Sequence, residues 1–476
     1  AFIKQSLLRG TERYFLIISK NFLISVISLI AMYADVLIIG GGPSGIVTAL
    51  TARKNYPDKK IVVLRKEDKV VIPCAIPYLS SSIESVSKNI ISDEILTKNG
   101  IELLKGEAKS INRDEKYVET TVGRISYDKL VLATGATPQK IPIEGIELEN
   151  VFFIKKEVPY LEKLFRTVRE VQNIVVIGGG FVGVEFSTDA VKLKKKISIV
   201  ELLPHVVQLN FDDEFCVQIE EKLKEMGINV YTNTRVEKII GEKKVEKVLL
   251  SNGKELEADM VIVAVGLRPN VELARNAGIN IGRCGIVVDD YGRTNDPDVF
   301  AVGDCVERRD FITGSCRSVM LASLACRDAR VVGSNLFEMK RLRRIVGDYP
   351  IFSTIIGDTA FGCAGLTERQ AKDMKIEVVS GEFLTVNRHP GCLPDAKQIK
   401  IKLLFDKKSH LLLGGQVSGD KAVAEITNLI GVALQAKFTC EDIYLMEVGT
   451  HPMLTSSPIV YPVIKAAEDA LMKLSA

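Results

Sequence analysis

The chain has 476 residues, 46% of them hydrophobic, with 63 Lys and Arg against 60 Asp and Glu for a net charge of +3. That length carries roughly three domains with ample apolar residues for real cores, and the near balance of charge excludes the basic face of a nucleic-acid binder. Nine cysteines without a C-x-x-C pair or Cys/His metal spacing exclude a metal cluster by spacing, and read as mostly inert buried thiols of a reducing, cytoplasmic compartment.

Residues 1–31 stand apart from the rest. Phe22 to Ala34 is apolar for 13 residues, short of the roughly 20 that a membrane-spanning helix needs, and Lys20-Asn21 interrupt its extension toward Tyr14–Ile18. The segment is read as an extension upstream of a translation start at Met32, with a membrane anchor as the alternative. An export leader disagrees with the reduced cysteines.

The first ordered unit opens on an apolar strand, Asp35-Val36-Leu37-Ile38-Ile39, that breaks into Gly40-Gly41-Gly42-Pro43-Ser44-Gly45 and a helix-compatible run, Ile46 to Asn55. Strand, G-x-G-x-x-G and helix together form a dinucleotide loop. Gly40 permits the tight turn, Gly42 lets backbone N–H groups approach a pyrophosphate, and Gly45 allows close helix–strand packing. A ribose-binding acid is expected about 20 residues on, but Arg65 holds that place, which leaves Glu67 as the candidate. The basic residues Arg53, Lys54, Lys59 and Lys60 read as a solvated helix end, with the phosphates of coenzyme A as the alternative partner.

Cys74 follows in Ile72-Pro73-Cys74-Ala75-Ile76-Pro77-Tyr78, 29 residues past Gly45. It is expected to begin a helix, whose N-terminus would stabilise the thiolate. No second cysteine stands near it in the chain, which excludes an internal disulfide. A sulfenic acid or a mixed disulfide with a small thiol remains, and either accepts two electrons.

A second loop, Gly178-Gly179-Gly180-Phe181-Val182-Gly183, follows the strand Val175–Ile177, and the next strand ends on Glu201, 18 residues past Gly183. A carboxylate there accepts hydrogen bonds from a ribose 2′-OH and repels a 2′-phosphate, which favours NADH over NADPH. Lys192-Leu193-Lys194-Lys195-Lys196 reads as a solvated helix end. Three further blocks stand in order: Leu132-Ala133-Thr134-Gly135-Ala136-Thr137-Pro138, Ala264-Val265-Gly266-Leu267-Arg268-Pro269-Asn270, and Thr294 to Asp304. Cys305, directly after Asp304, reads as packing. Glu338 to Arg344 looks like a basic connector, Phe361 to Glu368 opens a third region, and Gln398–Phe405 with Leu411–Gln416 reads as a hairpin.

With these five blocks the chain resembles the flavin-dependent pyridine nucleotide-disulfide oxidoreductases from Tyr33 to its C-terminus. The resemblance implies an α/β fold with two Rossmann-like dinucleotide-binding domains, for FAD and NADH, and a C-terminal α+β dimerisation domain that completes each site of a homodimer. The expected division is 32–155 and 271–345 for the FAD domain, 156–270 for the inserted NADH domain, and 346–476 for the interface domain. The cofactor contacts implied are Gly40, Gly42, Pro43, Ser44, Gly45, Glu67, Ala108, Ala133, Thr134, Gly135 and Asp304, then Gly178, Gly180, Phe181, Val182, Glu185, Glu201 and Gly266. Asp304 would meet the ribitol, Phe181 would shield or gate the flavin face, and Glu185 would help place the nicotinamide.

Cys-x-x-Pro-Tyr at Cys74 resembles the single-cysteine branch, with its coenzyme A disulfide reductases, NADH oxidases and sulfur reductases. Peroxidases and water-forming oxidases of the family place a histidine where Pro43 stands, and proline transfers no proton. The implied acid/base is His451, which matches an interface His-Pro of two-cysteine members, but Ser456 replaces the glutamate that would orient it. His389 is the weaker candidate, and His205 and His410 read as surface residues. The expected activity passes hydride from NADH through FAD to Cys74 and on to a coenzyme A disulfide-like compound or O₂. An NADH-dependent sulfur or polysulfide reductase is the first alternative, and a non-catalytic flavin-binding redox sensor or scaffold the second.

Overall fold

The computed structural model describes residues 32–317, 319–343 and 347–475. The readings on residues 1–31 lie outside the described residues. Among the described residues no helix is long and apolar enough to cross a membrane.

Three sheets organise the chain. The first has at its centre the strand Met32–Ile39, which pairs in parallel with Ile61–Arg65 on one side and Gly123–Leu132 on the other. Glu102–Lys105 extends the parallel part, Tyr117–Thr120 and Ala108–Asn112 add an antiparallel edge, and Val299–Ala301 returns from far along the chain to pair with Gly123–Leu132. Strand Ile61–Arg65 is buried at every position, as a parallel strand covered on both faces must be. Helix Pro43–Asn55 begins at the first glycine loop with Pro43 in its first turn, where a missing N–H costs nothing. It packs against helix Ala322–Ser334, with Gly333 so close that a Cβ there would stand 2.8 Å from the Thr48 carbonyl oxygen.

The second sheet orders Val151–Phe153, Met260–Val263, Asn173–Ile177, Lys196–Val200 and Asn229–Tyr231, all in parallel. Val151–Phe153 lies on the near side of the boundary drawn at residue 155. It nevertheless joins this second sheet, because its apolar residues find their ladder partners in Val261, Ile262 and Val263. The chain enters and leaves this unit through two short antiparallel strands, Ala136–Pro138 and Leu267–Pro269. Beside them Asn270 donates from its side chain to the Thr134 carbonyl at 2.9 Å, and Thr134 Oγ1 donates back to the Asn270 carbonyl at 2.8 Å.

The third sheet is antiparallel, in the order Ile351–Ile356, Thr359–Gly365, Leu412–Gly419, Gln398–Asp406, Val378–Val386. It opens one strand earlier than Phe361, and the hairpin expected over 398–416 forms as two strands of eight and nine residues. Helices Val423–Ala436 and Pro462–Leu474 cover it. Lys402, 5% exposed, ties this sheet to the second unit through Asp212 at 3.2 Å and Glu214 at 2.7 Å. The expected basic connector is engaged as well: Lys340 Nζ donates to the Asn55 carbonyl and Arg343 to that of Asp290.

The cysteine reading needs correction. Cys284 and Cys316 form a disulfide, with Cα atoms 6.6 Å apart, and Glu307 lies beside them. The turn Gly282–Gly285 and the hairpin strand Cys316–Arg317 are brought together by pairing around Val306 and Arg308, which a residue separation of 32 does not announce. Cys392 is exposed rather than buried.

Candidate functional site

Both glycine loops open into one cavity of about 1710 Å³, larger than the roughly 300–1,000 Å³ of an ordinary ligand pocket and of the scale two dinucleotides require. It lies beyond the C-terminal ends of the parallel strands in both units, where open α/β sheets bind ligands. Of the expected cofactor residues, Gly40, Gly42, Pro43, Ser44, Glu67, Ala108, Ala133, Thr134, Gly135 and Asp304 line it on the first unit's side. Gly178, Gly180, Phe181, Val182, Glu201 and Gly266 line it on the second.

The loops have the geometry a pyrophosphate cradle demands. Gly40 sits at φ +114°, and a Cβ on it would meet the Ala133 carbonyl oxygen at 2.2 Å. Gly45, inside the helix, would strike the Gly40 carbonyl at 2.0 Å, while Gly42 faces open space. The second loop repeats this: Gly178 at φ +105° against Ala264, Gly183 against the Gly178 carbonyl at 2.1 Å, and Gly180 open. In each, the glycine that faces the cavity leaves room for an anion at the helix N-terminus. The residues present therefore fit FAD and a nicotinamide dinucleotide.

The two ribose positions differ as their residues do. Glu201 accepts from the Gly179 N–H at 2.6 Å and the Leu203 N–H at 2.8 Å, which fixes its carboxylate beneath the loop at the cavity wall. Arg65 occupies the corresponding place in the first unit with 4% of its side chain exposed. Its guanidinium forms a two-point pair with Asp93, at 2.6 and 2.7 Å, and donates to the Glu67 carbonyl at 2.9 Å and the Asp68 carbonyl at 2.6 Å. Arg65 thus builds the platform that holds Glu67 at the cavity. Around Asp304, Gly303 adopts φ +81° with Ser44 Oγ 2.6 Å from where its Cβ would stand, and Lys156 Nζ lies 3.6 Å from the Asp304 carboxylate. Cys305 is fully buried and donates to the Val302 carbonyl, as packing requires.

Cys74 lies on the cavity wall between the two loops. Its segment forms a seven-residue 3₁₀ turn, Pro73–Leu79, with Pro77 inside, rather than an α-helix. The expected dipole stabilisation fails with it, because so short a turn aligns few peptide units. The thiol is open to the cavity, yet the surrounding wall desolvates it and pushes its pKa up, with the Glu185 carboxylate adding to the rise and Lys156 opposing it. Glu185 is itself raised, by burial, while hydrogen bonds from Thr354 and Tyr78 pull the other way. The Thr354 bond measures 2.9 Å. Phe181 stacks on Phe352 with ring centres 4.7 Å apart and planes 16° from parallel, so strand Ile351–Ile356 braces both residues of the second loop's helix. Asp189, farther along that helix and fully buried, accepts from the Ser81 and Ser82 N–H groups and from Ser82 Oγ, which pins the end of the Cys74 turn to the second unit.

The histidines fall out differently from expectation. His451 is exposed, outside the cavity of its own chain, and its Nδ1 accepts from the Met453 N–H at 3.2 Å. Ser456 does not orient that ring: it is buried and donates to the Val386 carbonyl at 2.6 Å. His389 packs against the same loop, its N–H on the Pro452 carbonyl and its Nδ1 against the Thr455 carbonyl. His410 sits in an exposed turn, paired with Glu441 at 2.6 Å. His205, read as a surface residue, lines the cavity beside Glu201 and pairs with Glu220 at 3.2 Å. The basic set does not gather toward a ligand. Arg53 donates to the Pro57, Lys59 and Gly100 carbonyls, and Lys59 and Lys60 pair with Asp35 and Glu102.

The fold returns helix Ala322–Ser334 to the cavity, which Ala322 and Ala325 line, with Cys326 half-buried beside them. Cys326 has no motif around it, and neither does Lys156. Tyr78 alone stood inside a recognisable pattern.

Residues 34–329 match the pyridine nucleotide-disulphide oxidoreductase family, and residues 351–459 match its dimerisation domain. An NADH oxidase from Methanocaldococcus jannaschii is 33% identical over 459 residues, 92% of this chain and 99% of that protein. An NAD(P)H coenzyme A polysulfide/persulfide reductase from Pyrococcus horikoshii is 31% identical, over 92% of this chain and 98% of its own. The structure of an NAD-dependent persulfide reductase from A. fulgidus superposes with a TM-score of 0.87 at 31% identity, and the match covers 93% of this chain and 84% of that one.

Proposed function

Because the chain belongs to the pyridine nucleotide-disulphide oxidoreductase family, we propose that it oxidises NADH and delivers the electron pair at Cys74 to a small sulfur compound, a disulfide or persulfide of the coenzyme A class. The observation that carries this reading is the position of Cys74 on the wall of one cavity between two dinucleotide loops. A scaffold that only holds flavin needs no thiol there, so Cys74 counts against that reading. Reduction of O₂ is the second activity, supported by the NADH oxidase among the relatives.

FAD, when bound, accepts hydride from the nicotinamide and hands two electrons to sulfur. The chain's own residues do the rest. Gly40, Gly42, Pro43 and Ser44 would hold the FAD pyrophosphate, with Gly45 letting the helix close on the loop, Glu67 would meet the ribose and Asp304 the ribitol, and Ala108, Ala133, Thr134 and Gly135 wall the same side. Gly178, Gly180, Val182 and Gly266 hold NADH, and Glu201 selects it over NADPH by repelling a 2′-phosphate. Phe181, held by Phe352, is the gate between the two halves. Cys74 carries the acceptor sulfur, and Lys156 offsets the negative charge that grows when its thiolate leaves.

The departing thiolate needs a proton. His451 of the partner subunit supplies it in this reading, since His451 stands among exposed apolar residues, with Leu454 at 71% and Ile459 at 81% exposure. A second copy of the chain covers that face in a homodimer. The setting is the cytoplasm, where NADH is made.

Cys74→Ser is the test. Loss of NADH turnover with coenzyme A disulfide and with polysulfide is expected, with NADH binding retained. Unchanged turnover with every sulfur acceptor would falsify the thiol mechanism.

A further inference from the structure

We propose that Cys284, Cys316 and Glu307 form a site for a thiophilic divalent metal, Zn²⁺ or one like it, once the Cys284–Cys316 disulfide is reduced. The site stands apart from the chemistry at Cys74, since none of the three residues lines the dinucleotide cavity.

Cys284 lies in the turn Gly282–Gly285, Glu307 follows the Asp304 turn, and Cys316 comes from the hairpin strand Cys316–Arg317. Backbone pairing gathers them. The Ile286 N–H donates to the Cys305 carbonyl and the Glu307 N–H to that of Ile286, both at 2.8 Å, while Cys316 stands opposite Arg309. Glycines make the room. Gly285, at φ +153°, has the Val306 carbonyl carbon 2.6 Å from where a Cβ would stand, and a Cβ on Gly282 would fall 2.1 Å from Glu307 Oε2. Only glycine at 282 lets the Glu307 carboxylate fold in against the two sulfurs. One ligand atom from each residue lies within 4.8 Å of the others.

A neutral disulfide has no need of a carboxylate beside it. Among the described residues only the Cys284 N–H, 2.9 Å from Oε2, bonds to that carboxylate, and Oε1 takes no bond. Two thiolates and a carboxylate oxygen on one Zn²⁺ stand about 3.6–3.8 Å apart at the usual tetrahedral bond lengths, and the present cluster already spans little more. Cα atoms 6.6 Å apart let both cysteines reach one ion. Soft thiolates select such an ion over Mg²⁺ or Ca²⁺. Cys316 is exposed, so the ion enters from solvent and water completes its coordination. In a reducing compartment a cysteine pair is more at home on a metal than cross-linked.

A small thiol, R′SH, opens the site. Two equivalents break the Cys284–Cys316 S–S bond and form R′S–SR′, and their two protons and two electrons pass to the protein sulfurs, which become thiols. Zn²⁺ then displaces both thiol protons to solvent with no change of oxidation state. The ion ties the turn to the hairpin in place of the S–S bond. That hairpin backs the cavity, because Arg308, paired with Arg317, donates to the Gly303 carbonyl at 3.3 Å, next to Asp304.

The test treats the full-length holoprotein anaerobically with tris(carboxyethyl)phosphine, desalts it and titrates it with Co²⁺, a spectroscopic stand-in for Zn²⁺. Binding of about one equivalent, with the d–d bands of tetrahedral Co²⁺ to the red of the flavin absorption, is expected for a single four-coordinate site. Zn²⁺ abolishes the bands by displacement, and protein left oxidised shows none. Alkylation mapping with iodoacetamide assigns the ligands: Zn²⁺ protects Cys284 and Cys316, and EDTA exposes them again. Cys284→Ser and Cys316→Ser each lose the bands, and Glu307→Gln gives up the ion at a lower EDTA concentration. A disulfide that survives the phosphine, reduced protein that binds no Co²⁺, or bound metal that leaves Cys284 and Cys316 reactive each overturns the proposal. The mapping is made on the unsubstituted protein, so a variant that folds poorly does not decide it. Turnover at Cys74 enters none of these outcomes, and the proposed function stands or falls separately.

Discussion

The Thr354 hydroxyl donates to the Glu185 carboxylate at 2.9 Å, joining the helix of the second glycine loop to the first strand of the C-terminal sheet. Glu185 is thereby held as a half-buried carboxyl within electrostatic reach of Cys74, whose thiol it pushes up.

Glu185→Gln removes that negative charge and lowers the pH midpoint for alkylation of Cys74 by iodoacetamide. A midpoint that stays put or rises would count against the arrangement. The same burial affects stability. The folded state holds a proton that the unfolded chain releases near 4.5, so the contribution is full below that pH and is lost as pH rises through the raised folded value. Unfolding midpoints should shift in favour of the Gln variant from acid toward neutral pH.

Arg65→Ala leaves Asp93 unpaired and the Glu67 and Asp68 carbonyls without their donor. Hydrogen bonds to a charged group contribute roughly 1.5–3 kcal/mol, and Asp93 is partly exposed, so a loss of about 2 kcal/mol in denaturant unfolding is expected. FAD retention on dialysis should weaken as the Glu67 platform loosens.

Glu201→Gln keeps a side chain beneath the loop but discards the charge that opposes a 2′-phosphate. The ratio of kcat/KM for NADH over NADPH should fall about tenfold, or ~1.4 kcal/mol. A ratio that does not move would place nucleotide selection elsewhere.

Asp189→Ala removes a fully buried carboxylate from the Ser81 and Ser82 N–H groups and from Lys192. Ser81 is half-buried and Ser82 exposed, so water replaces part of the lost bonding and a loss of about 1 kcal/mol is expected. Alongside that loss, hydrogen exchange at Ser81 and Ser82 should quicken, while Arg169, on the Leu79 and Glu84 carbonyls, keeps the flanking residues tied to the second unit.

Ile459→Glu, alone or with Leu454→Glu, puts charge into the exposed apolar face of the C-terminal region. Sedimentation should show the dimer dissociating to monomers, and turnover with sulfur acceptors should fall with it if His451 of the partner subunit supplies the proton.

What the sequence disclosed follows from how local each signal is. Each glycine loop lies within its own βαβ stretch, with Glu201 directly after the second, so spacing alone placed Gly40, Gly178 and Glu201 at the cavity. Cys74 was legible through Pro73, Pro77 and Tyr78, but not its environment, because Glu185, Lys156 and Asp304 reach it from three other segments. Arg65 looked like a broken motif until Asp93, 28 residues on, gave its charge a partner. The Cys284–Cys316 bond depends on strand pairing around Val306 and Arg308, which no periodicity records. Ser456 misled for a different reason. Its place in the chain suggested the role of a missing glutamate, but its hydroxyl serves the neighbouring strand.

The two short strands Ala136–Pro138 and Leu267–Pro269 put the way into the second unit beside the way out. A unit spliced in at one point, with its ends already adjacent, exchanges as a cassette. Replacing the stretch between Gln139 and Gly266 with that of an NADPH-using relative would require only two matched joints, both within the reach of the Thr134–Asn270 clasp. Such an exchange carries coenzyme preference with Glu201, but Lys156, Glu185 and Asp189 travel in the same stretch, so a recombinant that changes its coenzyme retunes the Cys74 thiol as well.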